Sequence, residues 1–205
     1  MKIQKLFPTY FFSDSMNKAS FSKLGPQLLR DCYLFQELDR EGQKWSKSSY
    51  SQGYTSYSSI TDLHRRSSAF QELKGWMDQR VKVFARSLEY DLQGKKLEIS
   101  SFWINIMGEH CSHSYHLHPL SAISGTFYLQ TPKGSGSFKI EDPRLPAFMA
   151  SPPPNPKASR DHQRFISIEP RAGDLVLFES WLKHEVTANR AKRDRVSVSF
   201  NYDWV

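Results

Sequence analysis

The chain has 205 residues, 39% of them hydrophobic and 14% aromatic, with 28 Lys/Arg against 21 Asp/Glu for a formal charge of +7. That length suits one domain with a hydrophobic core of its own. No apolar run approaches the ~18 residues of a membrane helix, and Cys32 and Cys111 are too few for a disulfide framework or a thiolate zinc site.

The N-terminal MKIQKLFPTYFFSDS lacks a small-residue cleavage site after an apolar run, so a signal peptide is not expected. A reducing, cytoplasmic setting is. The charge is diffuse: residues 1–100 carry 16 basic against 11 acidic side chains, residues 101–205 carry 12 against 10, and no basic run exceeds two. A nucleic-acid arm or polybasic membrane patch is denser than that. Neither partner is expected.

In chain order, Gly25-Pro26 opens a helical pattern, with Pro26 suited to a first turn and Leu28, Cys32, Phe35 and Leu38 at helical spacing. Residues 40–60 are polar and without period, and read as a loop. A second helix is capped by Ser67 or Ser68. It carries Phe70, Leu73, Met77, Val81, Phe84 and Leu88 on one face, and Gly94 can end it. Beyond Lys96 the period changes to two. Strands are expected near Glu98–Met107, Ser114–His118, Ser121–Gln130, Ser135–Ile140, Arg164–Ile168, Asp174–Glu179, Lys183–Ala188 and Arg195–Asp203. Between them runs a Pro-rich insertion, 141–164, long enough to be a lid or specificity loop, or simply a solvent-exposed connection. Helices followed by many short strands give an α+β, mainly β chain: a sandwich or jelly roll backed by helices on one sheet.

Two strands alternate sharply. One sets Ser124, Thr126 and Tyr128 opposite Gly125, Phe127 and Leu129; the other sets Arg195, Ser197, Ser199 and Asn201 opposite Val196, Val198, Phe200 and Tyr202. Alternation alone allows the polar faces to meet solvent or to line an internal cavity.

Four of the seven histidines, His110, His113, His116 and His118, fall within nine residues. His116-x-His118 places two imidazoles on one face of a strand, preorganised as neighbouring ligands of a single metal. His184, on a distant strand, completes a facial set with open positions. His110 and His113 are spare candidates; His64 and His162 read as peripheral. Arg195, eleven residues beyond His184, offers a planar fork for a carboxylate. Ser197 shares its face and Tyr128 can add a hydrogen bond, which favours the cavity-facing alternative.

Taken in order, His116-x-His118-Pro119, Ser124-Gly-Thr-Phe-Tyr-Leu129, Pro170-x-x-Gly173-Asp174-Leu175 through His184-x-Val186, and Arg195-x-Ser197-x-Ser199-Phe200-Asn201 resemble the 2-oxoglutarate/Fe(II) oxygenase family related to prolyl 4-hydroxylases. Leu6-Phe7-Pro8 and Trp103-x-Asn105 also fit, so the likeness spans most of the chain. It implies a double-stranded β-helix, one oxygenase domain over 1–205, with a strand and supporting helices in 1–96 and the core in 97–205.

The resemblance also implies a dioxygenase that hydroxylates a small-molecule or peptidyl substrate, with O2 and 2-oxoglutarate as co-substrates and succinate and CO2 released. Position by position, His116 and His184 match the iron ligands. Arg195 and Ser197 match the grip on the distal carboxylate, Tyr128 an assisting tyrosine, and Asn105 a co-substrate contact. The departure is His118, where relatives carry Asp or Glu. It is either a third neutral ligand or a support standing behind a water. A three-histidine jelly-roll enzyme without 2-oxoglutarate, a zinc centre, and a non-catalytic metal-binding β-sandwich are the alternatives.

Overall fold

The computed structural model describes all residues, Met1–Val205. Ten strands form two antiparallel sheets. The larger runs β1 (Phe11–Ser15), β8 (Asp174–Glu179), β5 (Ile123–Gln130), β10 (Arg195–Trp204), β3 (Leu97–Met107) and β2 (Gly53–Thr55), in that spatial order. The smaller runs β4 (His113–His116), β9 (His184–Val186), β6 (Phe138–Glu141) and β7 (Phe165–Ile168). Strands that follow one another in sequence are repeatedly separated in space, the winding of a jelly roll. All eight expected strands are present, seven of them with shifted ends, and two strands, β1 and β2, stand in 1–96 where one was expected.

Alternation assigns each face of the larger sheet. Phe127, Leu129, Val196, Val198 and Phe200 point outward into the main core, where they meet Leu24 and Leu28 of α1 (Lys18–Leu38) and Phe70, Leu73, Met77, Val81 and Phe84 of α4 (Ser68–Ser87). Between the sheets a smaller core of Phe138, Ile140, Val176, Phe178 and Leu182 closes one part of the interior. The polar faces of β5 and β10 turn inward beside it, so the solvent-facing alternative does not hold.

Three local expectations need correcting. α1 begins at Lys18, because the Asn17 side chain accepts from the Ser20 N–H at 2.9 Å, and Pro26 lies inside the helix instead of opening it. α4 begins as expected, with the Ser67 hydroxyl accepting from Ala69 and Phe70, but it ends at Ser87, well before Gly94. Glu89, at φ 55°, supplies the left-handed turn that Gly94 was expected to give. Residues 40–60 are not a loop. They hold α2 (Arg40–Ser49) and β2, and only Gly42 and Ser46 of α2 are buried, so the helix has no apolar stripe to read. The short α3 (Leu63–Arg66) precedes α4. No helix is long and apolar enough to cross a membrane.

Candidate metal centre

Strand register brings the histidines together. His116 at the end of β4 lies directly opposite His184 at the start of β9. His118 sits two residues past β4, where its backbone N–H donates to Ser180 O at 2.9 Å. One ring nitrogen from each of His116, His118 and His184 lies within 4.8 Å of the others. Every Nδ1 is engaged: His116 with Ser114 O at 2.8 Å, His184 with Leu182 O at 2.8 Å, and His118 with Asn201 Oδ1 at 2.7 Å. An Nδ1–H donating to an oxygen fixes the tautomer and leaves Nε2 as a free lone pair. Burial lowers all three, His118 to about 4 and His184 to about 2. The set is therefore three neutral nitrogen donors at neutral pH, which suits a divalent first-row ion.

A pocket runs from these rings into the interior, and all seven candidate residues line it: His116, His118, His184, Asn105, Tyr128, Arg195 and Ser197. At its inner end Arg195 is 1% exposed. Its Nη1 donates to Ser197 Oγ at 3.3 Å and lies 3.4 Å from Met107 Sδ, while Nε and Nη2 have no partner. The guanidinium carbon is 5.0 Å from the Tyr128 ring centroid. The Tyr128 hydroxyl is also buried without a partner, and burial pushes its pKa up to about 12. No Asp or Glu lines the pocket. A buried guanidinium without a counter-ion is costly, so the chamber is built for an anion. Asn105 takes part through Ser199, donating from Nδ2 to Oγ at 3.1 Å, and Thr126 Oγ1 meets the same Oγ at 3.1 Å.

Several lining residues escaped the sequence. His113, a spare candidate there, stacks on His116 with centroids 4.0 Å apart and planes at 20°, and Tyr50 meets His113 edge-on at 5.6 Å. Burial and the neighbouring His116 hold the His113 imidazole down at about 3. Tyr50 lies just beyond α2, in the stretch read as a loop. Trp103 faces His118, centroids 5.9 Å apart, and is braced by Tyr57 at 5.1 Å. The alternation of β3, which placed Asn105 inside, also places Trp103 and Met107 there. His110 is exposed beside Glu109, His64 stacks toward Phe102 at 6.5 Å, on the helical side of the larger sheet, and His162 lies in the insertion.

Residues 101–201 match the family described as "Putative 2OG-Fe(II) oxygenase". This chain belongs to the 2OG-Fe(II) oxygenases. Among solved structures, the α-ketoglutarate-dependent epimerase SnoN from nogalamycin biosynthesis superposes with a TM-score of 0.66 at 13% identity, covering 95% of this chain and 76% of that one. A Pseudomonas putida prolyl-4-hydroxylase gives 0.60 at 16% identity, covering 95% and 92%. HygX from Streptomyces hygroscopicus, with nickel, 2-oxoglutarate and hygromycin B bound, gives 0.61 at 16%, covering 95% and 83%. At these identities the likeness is one of fold, and it identifies the two sheets as the double-stranded β-helix of the 2OG-Fe(II) oxygenases. No curated protein matches the chain.

Proposed function

We propose that His116, His118 and His184 hold the Fe(II) of this oxygenase, and that Arg195, with Ser197 and Tyr128, grips the distal carboxylate of 2-oxoglutarate. The observation that carries the reading is the unpartnered Arg195 fork, buried at the inner end of a pocket whose outer end is three imidazoles. A dicarboxylate with a metal-chelating head satisfies both ends at once. The donor set fits ferrous iron, since its three lone pairs are neutral and free and no fourth protein ligand closes the remaining positions.

With iron bound, the centre supplies O2 activation coupled to oxidative decarboxylation, so that R–H, O2 and 2-oxoglutarate give R–OH, succinate and CO2. The chain's own residues do the rest. Arg195 makes two charge-assisted hydrogen bonds to the carboxylate, through the Nε and Nη2 left free for it, and Tyr128 adds a third donor. Asn105, Thr126 and Ser199 form the polar wall along the chamber. Phe138 and Phe178 pack against His184, centroids 4.7 and 4.6 Å away, holding its ring and keeping water from that side. Trp103 and Tyr57 stand where a second, peptidyl or small-molecule substrate would approach His118.

The test is succinate formation from 2-oxoglutarate under Fe(II) and O2. Wild-type protein should form succinate, and Arg195→Ala, shown to be folded and iron-loaded, should not. Folded, iron-loaded wild-type protein that neither binds nor turns over 2-oxoglutarate overturns the reading.

A further inference from the structure

The three Nδ1 anchors are not alike. His116 and His184 each lean on a carbonyl two residues back in the chain, Ser114 O and Leu182 O, which no substitution removes. His118 alone depends on a side chain, Asn201 of β10. That amide could in principle turn either way. With its oxygen toward His118, the ring carries its proton on Nδ1 and presents a bare Nε2 to the metal. With its nitrogen toward His118, the proton moves to Nε2 and ligation is blocked.

The structure holds the oxygen toward both His118 and Ser124. Ser124 Oγ donates to Asn201 Oδ1 at 2.8 Å, and Ser124 Oγ lies 2.7 Å from Ser180 Oγ. With the oxygen so placed, the single Ser124 proton goes to Asn201, and the proton between Ser124 and Ser180 is then the one on Ser180. Ser124 and Ser180 are wholly buried and Asn201 nearly so, so no water competes. Both lone pairs of Oδ1 are then filled, one by Ser124 and one by His118. Ser180 also takes the His118 backbone N–H on its carbonyl, holding the residue from two sides.

We infer that Asn201, oriented by Ser124 and Ser180, is the positioning residue that makes His118 a metal ligand. The inference rests on the reading of His116, His118 and His184 as the metal centre and deepens it. An aspartate at position 118 would need no such device, because either carboxylate oxygen can ligate. An imidazole has one free nitrogen, and something must choose which.

The experiment is titration of the apo-protein with Co(II), followed by the visible d–d absorption of the bound ion. Asn201→Leu should weaken Co(II) binding by about 10–100-fold and alter the d–d band, as His118→Ala does. Asn201→Asp keeps the acceptor and should restore both affinity and band. Ser124→Ala, a milder change that serves if Asn201→Leu does not fold, should produce a smaller loss in the same direction. Folded Asn201→Leu or Ser124→Ala with wild-type affinity and band, alongside a weakened His118→Ala, overturns this inference and leaves the metal centre standing. Wild-type protein that takes up no Co(II), or whose uptake survives His184→Ala, overturns the metal reading beneath it.

Discussion

Arg195 and Tyr128 face each other at the inner end of the pocket, with the guanidinium carbon 5.0 Å from the ring centroid and with Arg195 Nε and Nη2 and the Tyr128 hydroxyl left without protein partners. Two buried donors that decline each other are arranged for a third party. A lysine at position 195 would keep the charge but not the planar fork. Charge-assisted hydrogen bonds are worth about 1.5–3 kcal/mol each, so Arg195→Lys should lose at least one of the two. Equilibrium dialysis of 2-oxoglutarate under anaerobic conditions should show a fall in affinity of about tenfold or more, with a smaller fall in Tyr128→Phe. Unchanged affinity in both would remove the carboxylate from this end of the pocket.

The histidine cluster makes the apo-protein acid-sensitive. His113, His118 and His184 are held at about 3, 4 and 2, against an ordinary 6.5, with burial as the largest cause in each case. A base whose folded pKa is depressed binds fewer protons folded than unfolded. Above ~6.5 both states are neutral and stability is complete. Below it the unfolded chain takes up protons that the folded one refuses, and each such histidine removes about 1.4 kcal/mol per pH unit. Urea unfolding of metal-free protein should therefore show a midpoint that falls steadily as pH drops from ~6.5 toward the folded values. A flat profile across that window would mean that these rings are hydrated and already able to protonate in the folded protein.

Asp39 shows why part of the fold was hidden in the sequence. The strands, α4, the histidine pair, His184 and Arg195 announce themselves through period-two alternation, a capped apolar stripe and residue type at a spacing. α2 does not, because polar contacts hold it: Ser46 Oγ accepts from the Thr55 N–H at 3.1 Å, and one buried carboxylate makes three more. Asp39 accepts from the Gly42 N–H at 2.9 Å, from the Tyr54 hydroxyl at 2.8 Å and from the Ser59 hydroxyl. These contacts join α2 to β2 and to the turn that follows, and none leaves a mark on hydrophobic periodicity. Tyr50 is hidden for a related reason: its place in the pocket follows from how β2 pairs with β3, Thr55 opposite Asn105, whereas Trp103 is within reach of the sequence, two residues before Asn105 on the same face of β3. His113 stands in the sequence only as a spare candidate, since the irregular register of β4 against β9 is what brings it onto His116. Asp39→Ala should cost about 2–4 kcal/mol, from the lost cap and the stranded tyrosine and serine hydroxyls. Asp39→Asn should cost less. Chemical denaturation measures both, and a neutral Asp39→Ala would show that α2 is held by something else.

The insertion is rooted beside the metal centre. It leaves the smaller sheet at Glu141, whose N–H donates to Lys183 O at 3.0 Å, one residue from His184. It is not a featureless connection. Arg164 Nη2 donates to Ser151 O at 3.0 Å and Pro152 O at 2.9 Å, and its guanidinium carbon stands 5.1 Å from the Phe148 ring, with Arg144 at 5.5 Å. One arginine at the base thus ties down the outer turn of the loop. Arg164→Ala frees those two carbonyls and removes the cation from the ring, while leaving β6, β9 and the histidines in place. Hydrogen exchange read by mass spectrometry should then speed up across residues 145–160 and stay at wild-type rates in β10, with Co(II) affinity unchanged. If exchange in the insertion does not change, its order comes from the Asp142–Arg144 pair and the proline run. A fall in Co(II) affinity would instead mean that the insertion helps hold the metal centre itself.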